Sequence, residues 1–377
     1  MQHLRKRQIV IIGNGLGVIT FCRAFRSQYA EVTILTQEPN YAPRTVLNAV
    51  AAGRLDPAPY IRSLRILFSK RKDIRILNQT VASIDPETRK LLFTGDEDPV
   101  DYDFLLFANE PETHIGSTIS GYSEALQIRS KLKEKGHLET VAIIGPGTQT
   151  VEAATAFAGT AEKVFLINTG DSLFPEAEAD APKNIHREIR ETGVHLFMDE
   201  EFDSLEGNSL TIGGQTLKCD LVIDHRISHV PACATKLGLE LLPDGKFLSR
   251  PDFSIPHQPR LYAFADLCDI QDGLGKKLPN IDRVAIKQAR YLARILKGKI
   301  EAVKGYDVDC PGFIYSGAGD FVRLNTTGSV GMFGKKRVWK GFQGLLMDTL
   351  LHKLPVFSIA YGSGALSKWT SLFRKLK

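Results

Sequence analysis

The chain has 377 residues, 43% apolar and 24% charged, with a formal net charge of +5. That composition excludes a disordered chain and leaves room for two or three globular domains of roughly 100–200 residues each. The charge is too small to point to nucleic acid, and no apolar run of about 18 residues is free of charges or breakers, so no spanning helix is expected.

The basic Arg5-Lys6-Arg7 and the apolar Ile9-Val10-Ile11-Ile12 imitate a targeting segment, but Gly13-Asn14-Gly15 interrupts the run at once. It reads as a first strand, Gln8–Ile12, ending in glycines. Leu16–Tyr29 then carries helical apolar spacing, and Glu31–Leu35 alternates as a second strand. Strand, glycine turn, helix and strand make one βαβ unit. Ile74–Leu77, Val81–Ile84 and Lys90–Phe93 read as antiparallel strands with a turn at Asp85–Thr88, and Asp103–Ala108 as a buried strand rejoining the first sheet. A second copy of the unit starts at Thr140: Val141–Ile144, Gly145-Pro146-Gly147, a helix through Glu152 and Phe157, and a strand Val164–Ile167. Leu210–Ile212, Gln215–Leu217 and Leu221–Ile223 read as further antiparallel strands, Leu261–Ala265 as a buried strand, and Ile286–Leu296 as an amphipathic helix.

The repeat is the most informative feature. It implies an α/β fold with two Rossmann-like dinucleotide-binding domains, each a parallel sheet with helices on both faces, plus small antiparallel segments. In Gly13-Asn14-Gly15-Leu16-Gly17-Val18, the first glycine permits the tight turn and the second lets the backbone approach a pyrophosphate on the positive helix end. Candidate nucleotide contacts in this turn are Gly13, Gly15, Leu16 and Gly17, with Glu38 as the acid for ribose hydroxyls, since Thr36 ends the second strand. In the second turn they are Gly145, Gly147, Thr148 and Gln149, with Glu152 on the helix and Asn168 closing the next strand. An Asn there does not repel a 2′-phosphate as a carboxylate would, so NADH and NADPH both stay open.

With both turns placed, residues 8–355 resemble the pyridine-nucleotide–disulfide reductase superfamily. The likeness is to its membrane-associated members without a redox disulfide: type II NADH dehydrogenases, ferroptosis-suppressor and apoptosis-inducing-factor-like quinone reductases, and sulfide:quinone reductases. The resemblance implies FAD on the first unit and NAD(P)H on the second, the NAD domain being inserted in the FAD domain. The boundaries expected are 1–115 and 251–305 for the FAD domain, 116–250 for the NAD(P)H domain and 306–377 for a helical, membrane-associating region. Val46–Leu55, with Arg44 and Thr45 before it, is similar to the family's flavin-side segment. Tyr262-Ala263-Phe264-Ala265-Asp266 resembles the late motif whose acid, Asp266, contacts FAD; the family has Gly where Ala265 stands. Ala108-Asn109-Glu110 stands where Ala-Thr-Gly is usual, which makes Ala108 a cofactor contact, and Asp224-His225-Arg226 replaces a small-residue segment in the second half. Ala285-Ile286-Lys287-Gln288-Ala289 is similar to the helix that meets flavin and quinone, so Lys287 and Gln288 are the candidate catalytic residues.

The activity so implied is hydride transfer from NAD(P)H to FAD and onward to a quinone or other electron acceptor. Residues 331–377 hold nine Lys/Arg against one acid, Asp348, and Leu366, Trp369, Phe373 and Leu376 recur at near-helical spacing among Lys368, Arg374, Lys375 and Lys377. That is the pattern of a helix lying in a membrane surface. The chain is expected to be cytoplasmic and peripheral on the inner membrane face. A homodimer, common among the relatives, stays open.

The five cysteines form no CxxC and no zinc spacing, so no metal is expected. Asp309-Cys310-Pro311, after Tyr306, is similar to a sulfide:quinone reductase segment, and Cys233 is the one speculative partner for Cys310. Two alternatives therefore stand beside the main reading: a sulfide:quinone reductase-like enzyme, and a degenerate, non-catalytic nucleotide-binding or scaffold protein of the same fold.

Overall fold

The structure is a computed structural model that describes residues 5–58, 60–108, 119, 121–175, 181–200, 202–226, 230–243, 245–269, 282–301, 321–324, 330–332 and 337–348. Asn109, Glu110, Cys310 and the basic tail beyond residue 348 lie outside them. The chain divides into two compact units, one of Met1–Tyr41, Ser63–Glu112 and Ile227–Tyr315, the other of Ala42–Arg62, Thr113–Arg226 and Ser316–Lys377.

The first unit opens with β1 (Arg7–Ile12), α1 (Leu16–Ala24) and β2 (Ala30–Leu35). Both strands are buried without a break over their last four residues, Ile9–Ile12 and Val32–Leu35, so each is covered on both faces there. They pair in parallel, Ile11 beside Ile34. α2 (Arg44–Ala51) follows and belongs to the second unit. The chain returns with β3 (Ile74–Leu77), β4 (Val81–Asp85), β5 (Lys90–Phe93), β6 (Val100–Asp101) and β7 (Phe104–Phe107).

β3 corrects the sequence reading. It is a parallel edge strand on β2, with Val32 beside Ile74, and not part of the antiparallel set. Alternation reports a strand but not its direction; the long crossover from Leu35 to Ile74 makes the parallel pairing possible. Only β4, β5 and β6 form the antiparallel ribbon.

α1 is also shorter than its apolar spacing suggests, because Phe25 already has extended backbone, φ −76° and ψ 122°. The Arg71 guanidinium captures the helix end: Nη1 donates to the Cys22 carbonyl (2.7 Å) and Nη2 to that of Phe25 (3.2 Å). Asp73 holds that guanidinium through Nε at 2.6 Å. The last carbonyls of the helix are thus satisfied from outside, and the chain turns into β2.

The second unit repeats the plan. α3 (Tyr122–Lys135) leads to β8 (Leu138–Ile144), α4 (Thr148–Phe157) and β9 (Ala161–Asn168), then β10 (Val194–Met198), the ribbon strands β11 (Phe202–Glu206), β12 (Ser209–Ile212) and β13 (Gln215–Lys218), and β14 (Leu221–Asp224). The main sheet runs β10-β9-β8-β14, all parallel. β14 is the second correction: it does not continue the ribbon but lies parallel to β8, Ile143 beside Ile223. The core of this unit joins Val46, Leu47 and Val50 of α2, Ala125 and Ile128 of α3, and Val151, Ala154 and Phe157 of α4. Each large aliphatic side chain so buried contributes roughly 1.5–3 kcal/mol.

The chain re-enters the first unit with β15 (Ser254–Ile255), β16 (Gln258–Ala263) and α5 (Asp282–Glu301). Its sheet closes in the order β15-β16-β7-β1-β2-β3. α5 packs along α1, and Leu292, Ala293, Ile295 and Leu296 are buried. β17 (Phe321–Arg323), β18 (Val330–Met332) and β19 (Arg337–Trp339) form an antiparallel meander in the second unit, followed by α6 (Gly341–Asp348). Among the described residues, no helix is long and apolar enough to cross a membrane.

Candidate functional site

In the first unit the glycine turn, Ala108 and the turn at residues 264–266 follow the carboxyl ends of β1, β7 and β16. The Gly13 N–H donates to the Leu35 carbonyl (2.9 Å), which folds the turn back over β2. Gly15 caps α1, no side chain caps it with a hydrogen bond, and no acid stands in its first turn. A Cβ added at Gly15 would meet nothing within 4 Å. The positive helix end therefore faces open space, as an anion cradle requires.

Asn14 was not singled out from the sequence, yet it organises this site. Its side chain is buried, and Nδ2 donates to the carbonyls of Glu38 and Asn40, tying the glycine turn to the loop after β2. Its Oδ1 is buried without a partner, an acceptor aimed at no protein donor. Glu38 is fixed in the same loop. Its Oε1 accepts the Asn40 N–H (3.1 Å), while its own N–H donates to Thr36 Oγ1 and its carbonyl accepts from that hydroxyl, both at 3.1 Å. The Ala108 N–H donates to the Ile12 carbonyl (2.9 Å), which holds β7 against β1 where the turn begins.

The late motif closes this site. Ala265 adopts a left-handed φ of 57° and starts the one-turn helix that carries Asp266. Its N–H donates to Gln288 Oε1 at 2.9 Å. Gly17 lies against the same turn: a Cβ there would sit 2.9 Å from Phe264 Cε2, closer than real Cβ atoms approach. Gln288 is 2% exposed, whereas Lys287 faces outward on α5. Arg44 and Thr45 begin α2; their side chains lie outside the described residues.

The second turn is built alike. The Gly145 N–H donates to the Ile167 carbonyl (2.9 Å), and a Cβ at Gly145 would come within 3.1 Å of the His225 carbonyl carbon. Gly147, at φ 98°, caps α4, which no side chain caps by a hydrogen bond, and Thr148 and Gln149 begin the helix. Thr150 is fully buried; its hydroxyl donates to the Pro146 carbonyl (2.8 Å) and lies 3.2 Å from His225 Nδ1. Glu152 is buried on α4. Asn168 is 2% exposed, and its Nδ2 donates to the carbonyls of Gly170 (2.7 Å) and Ser172 (2.9 Å), so its amide protons hold the loop and its Oδ1 remains as acceptor. Arg226 folds back on Asp224, with Nε at 3.0 Å and Nη2 at 2.6 Å from the carboxylate oxygens.

The described cysteines Cys22, Cys219, Cys233 and Cys268 are all buried and unbridged. Burial pushes the Cys22 thiol up to about 12 and the Cys219 thiol to about 11, away from thiolate chemistry. Among the described residues there is no cluster of His, Cys, Asp and Glu suited to a metal.

Two sheets built on parallel βαβ units, each with a glycine turn leading into a helix whose start no side chain caps, define a protein that binds two dinucleotides. Residues 7–289 match the family model described as pyridine nucleotide-disulphide oxidoreductase, and the chain belongs to that family. It is an oxidoreductase whose cofactors are FAD and NAD(P)H. It is 20% identical over 419 residues to the type II NADH:quinone oxidoreductase NdhA of Mycobacterium tuberculosis, covering 97% of this chain and 86% of NdhA. Among solved structures it is similar to NDH2 from Plasmodium falciparum in complex with NADH, at TM-score 0.72 and 14% identity, covering 95% of this chain and 99% of that one. It is also similar to reduced Bacillus anthracis CoADR-RHD, at TM-score 0.65 and 19% identity, covering 85% of this chain and 60% of that one.

Proposed function

We propose that the chain passes electrons from NAD(P)H by way of FAD to a quinone-type acceptor, working as a peripheral protein on the inner face of a membrane. The observation that carries this is the duplicated, uncapped glycine turn, with a buried orphan acceptor, Asn14 Oδ1, at the first copy. The near full-length similarity to NdhA supports the quinone as acceptor.

The residues suit this work. The amides of Gly13, Gly15, Leu16 and Gly17 would hold the FAD pyrophosphate, with Asn14 Oδ1 and Glu38 toward ribose hydroxyls and Asp266 toward the ribityl chain. Ala108, Arg44 and Thr45 complete this set. Gly145, Gly147, Thr148, Gln149 and Glu152 would line the NAD(P)H site, and Asn168 Oδ1 can accept one ribose hydroxyl. FAD, when bound, supplies the hydride chemistry; the protein binds, orients and excludes water. Lys287, outward on α5, would offset negative charge building up on the acceptor side. The basic tail would hold the chain at the membrane.

The test starts with the protein purified in mild detergent. A flavin absorbance band should appear, bleach on adding NADH or NADPH without oxygen, and return on adding a short-chain quinone. A colourless protein that cannot be reconstituted with FAD would end this reading. A band that bleaches but does not return with quinone would leave the reductase half and remove the acceptor. Lys287→Met should slow the return of the band several-fold and leave its bleaching alone; an unchanged return rate would remove Lys287 from the mechanism.

A further inference from the structure

We propose that Gln288 is a positioning residue for FAD: by accepting the Ala265 N–H it holds residues 264–266 in the turn that presents Asp266 and seats the start of α1. This rests on the FAD reading above and concerns the same site.

The argument begins with the backbone. Ala265 sits at φ 57°, a left-handed conformation that costs an L-residue free energy and persists only where its surroundings enforce it. Both of its polar groups are engaged: the N–H by Gln288 Oε1 at 2.9 Å, the carbonyl by Cys268 Sγ at 3.4 Å. The preceding Phe264 N–H donates to the Phe107 carbonyl (3.2 Å) and ties the turn to the sheet. On its other side the turn meets Gly17, where a Cβ would lie 2.9 Å from Phe264 Cε2 and 3.6 Å from Ala265 Cβ. A shift of the turn would therefore displace two cofactor contacts at once, the glycine turn and Asp266. Gln288 comes from α5, which packs on α1, and is itself 2% exposed. Its carbonyl oxygen is thus committed inside the protein, which suits a support for the cofactor turn rather than a contact to the acceptor. Lys287, one residue earlier, takes the outward direction.

The experiment is FAD titration of folded apoprotein for the wild type, Gln288→Leu, Gln288→Glu, Ala265→Gly and the double variant Gln288→Leu/Ala265→Gly. Gln288→Leu leaves the Ala265 N–H without its acceptor and should weaken FAD binding about ten-fold or more. Gln288→Glu keeps an acceptor oxygen and should stay near the wild type. Glycine adopts a positive φ unaided, so the double variant should recover most of the lost affinity. Wild-type affinity in Gln288→Leu, or no recovery in the double variant, would overturn the proposal. If Gln288→Leu is insoluble, the double variant decides alone: soluble and FAD-binding supports the role, insoluble refutes it. A wild-type protein that takes up no FAD would instead remove the functional reading.

Discussion

Arg71 and Asp73 show how a few atoms end a helix. The spacing of Ile19, Cys22, Phe25 and Tyr29 invites a longer α1, and nothing local to that segment stops it. The stop arrives from 46 positions away, when Arg71 bonds the Cys22 and Phe25 carbonyls. Its hydrogen bond to Asp73 holds that carboxyl below its ordinary 3.8. A carboxyl depressed in the folded state stabilises the fold above its ordinary range, and that stability is lost as pH falls through the folded value. Asp73→Ala should cost about 2 kcal/mol at neutral pH, since the guanidinium then lacks its charge partner. Urea midpoints should show the wild type and the variant converging near the acid limit. A gap that persists at low pH would mean the cost is packing rather than charge. The same distance explains why Asn14 and Gln288 were hard to weigh from the sequence. Each acts through a backbone group more than 20 positions away, on Glu38 in one case and Ala265 in the other.

Elements were more legible than residues, and the glycine turns most of all. There, periodicity changes from strand to helix across three residues, and both copies fold as expected, β1 into α1 and β8 into α4. Direction was not legible. Ile74–Leu77 and Leu221–Asp224 carry ordinary strand patterns, but whether such a segment extends a ribbon or joins a parallel sheet depends on distant partners, β2 and β8. The close seat of α1 on the Phe264 turn is likewise a long-range fact, and it can be tested at the level of the element. Gly17→Ala places a methyl against the buried Phe264 ring, and overpacking of this kind costs about 1–3 kcal/mol. Thermal unfolding of the variant should shift downward accordingly. Adding Phe264→Leu, which shortens the obstructing side chain, should return part of the loss. If the pair is merely additive, α1 does not depend on that contact for its seat.

At the scale of the whole molecule, the two nucleotide units were announced by internal repetition. The grouping of α2 and the late meander with the second unit was not, because neither carries a local sign of its partner. Charge is also a whole-molecule property. The chain carries a net +5, yet residues 331–377 alone hold nine Lys/Arg against one acid, so the rest of the chain is close to balanced. Such an imbalance at one end does not help folding; it favours an anionic surface, where each basic residue near the membrane contributes about 1 kcal/mol within the screening length. On the proposed function, Trp369 and Phe373 would add apolar groups at the headgroup boundary. Removing residues 364–377 deletes Lys368, Arg374, Lys375 and Lys377 together with both aromatics. Binding to vesicles containing anionic lipid, measured by sedimentation, should fall at least ten-fold, by the affinity arithmetic of losing more than about 1.4 kcal/mol. The remaining binding should weaken further with added salt, because Arg337, Lys340 and Lys353 stay behind. Flavin content should not change, because the proposed FAD contacts lie between Gly13 and Asp266. Full vesicle binding by the truncated chain would place the membrane contact elsewhere. Loss of flavin along with the tail would mean that the segment supports the cofactor rather than the membrane.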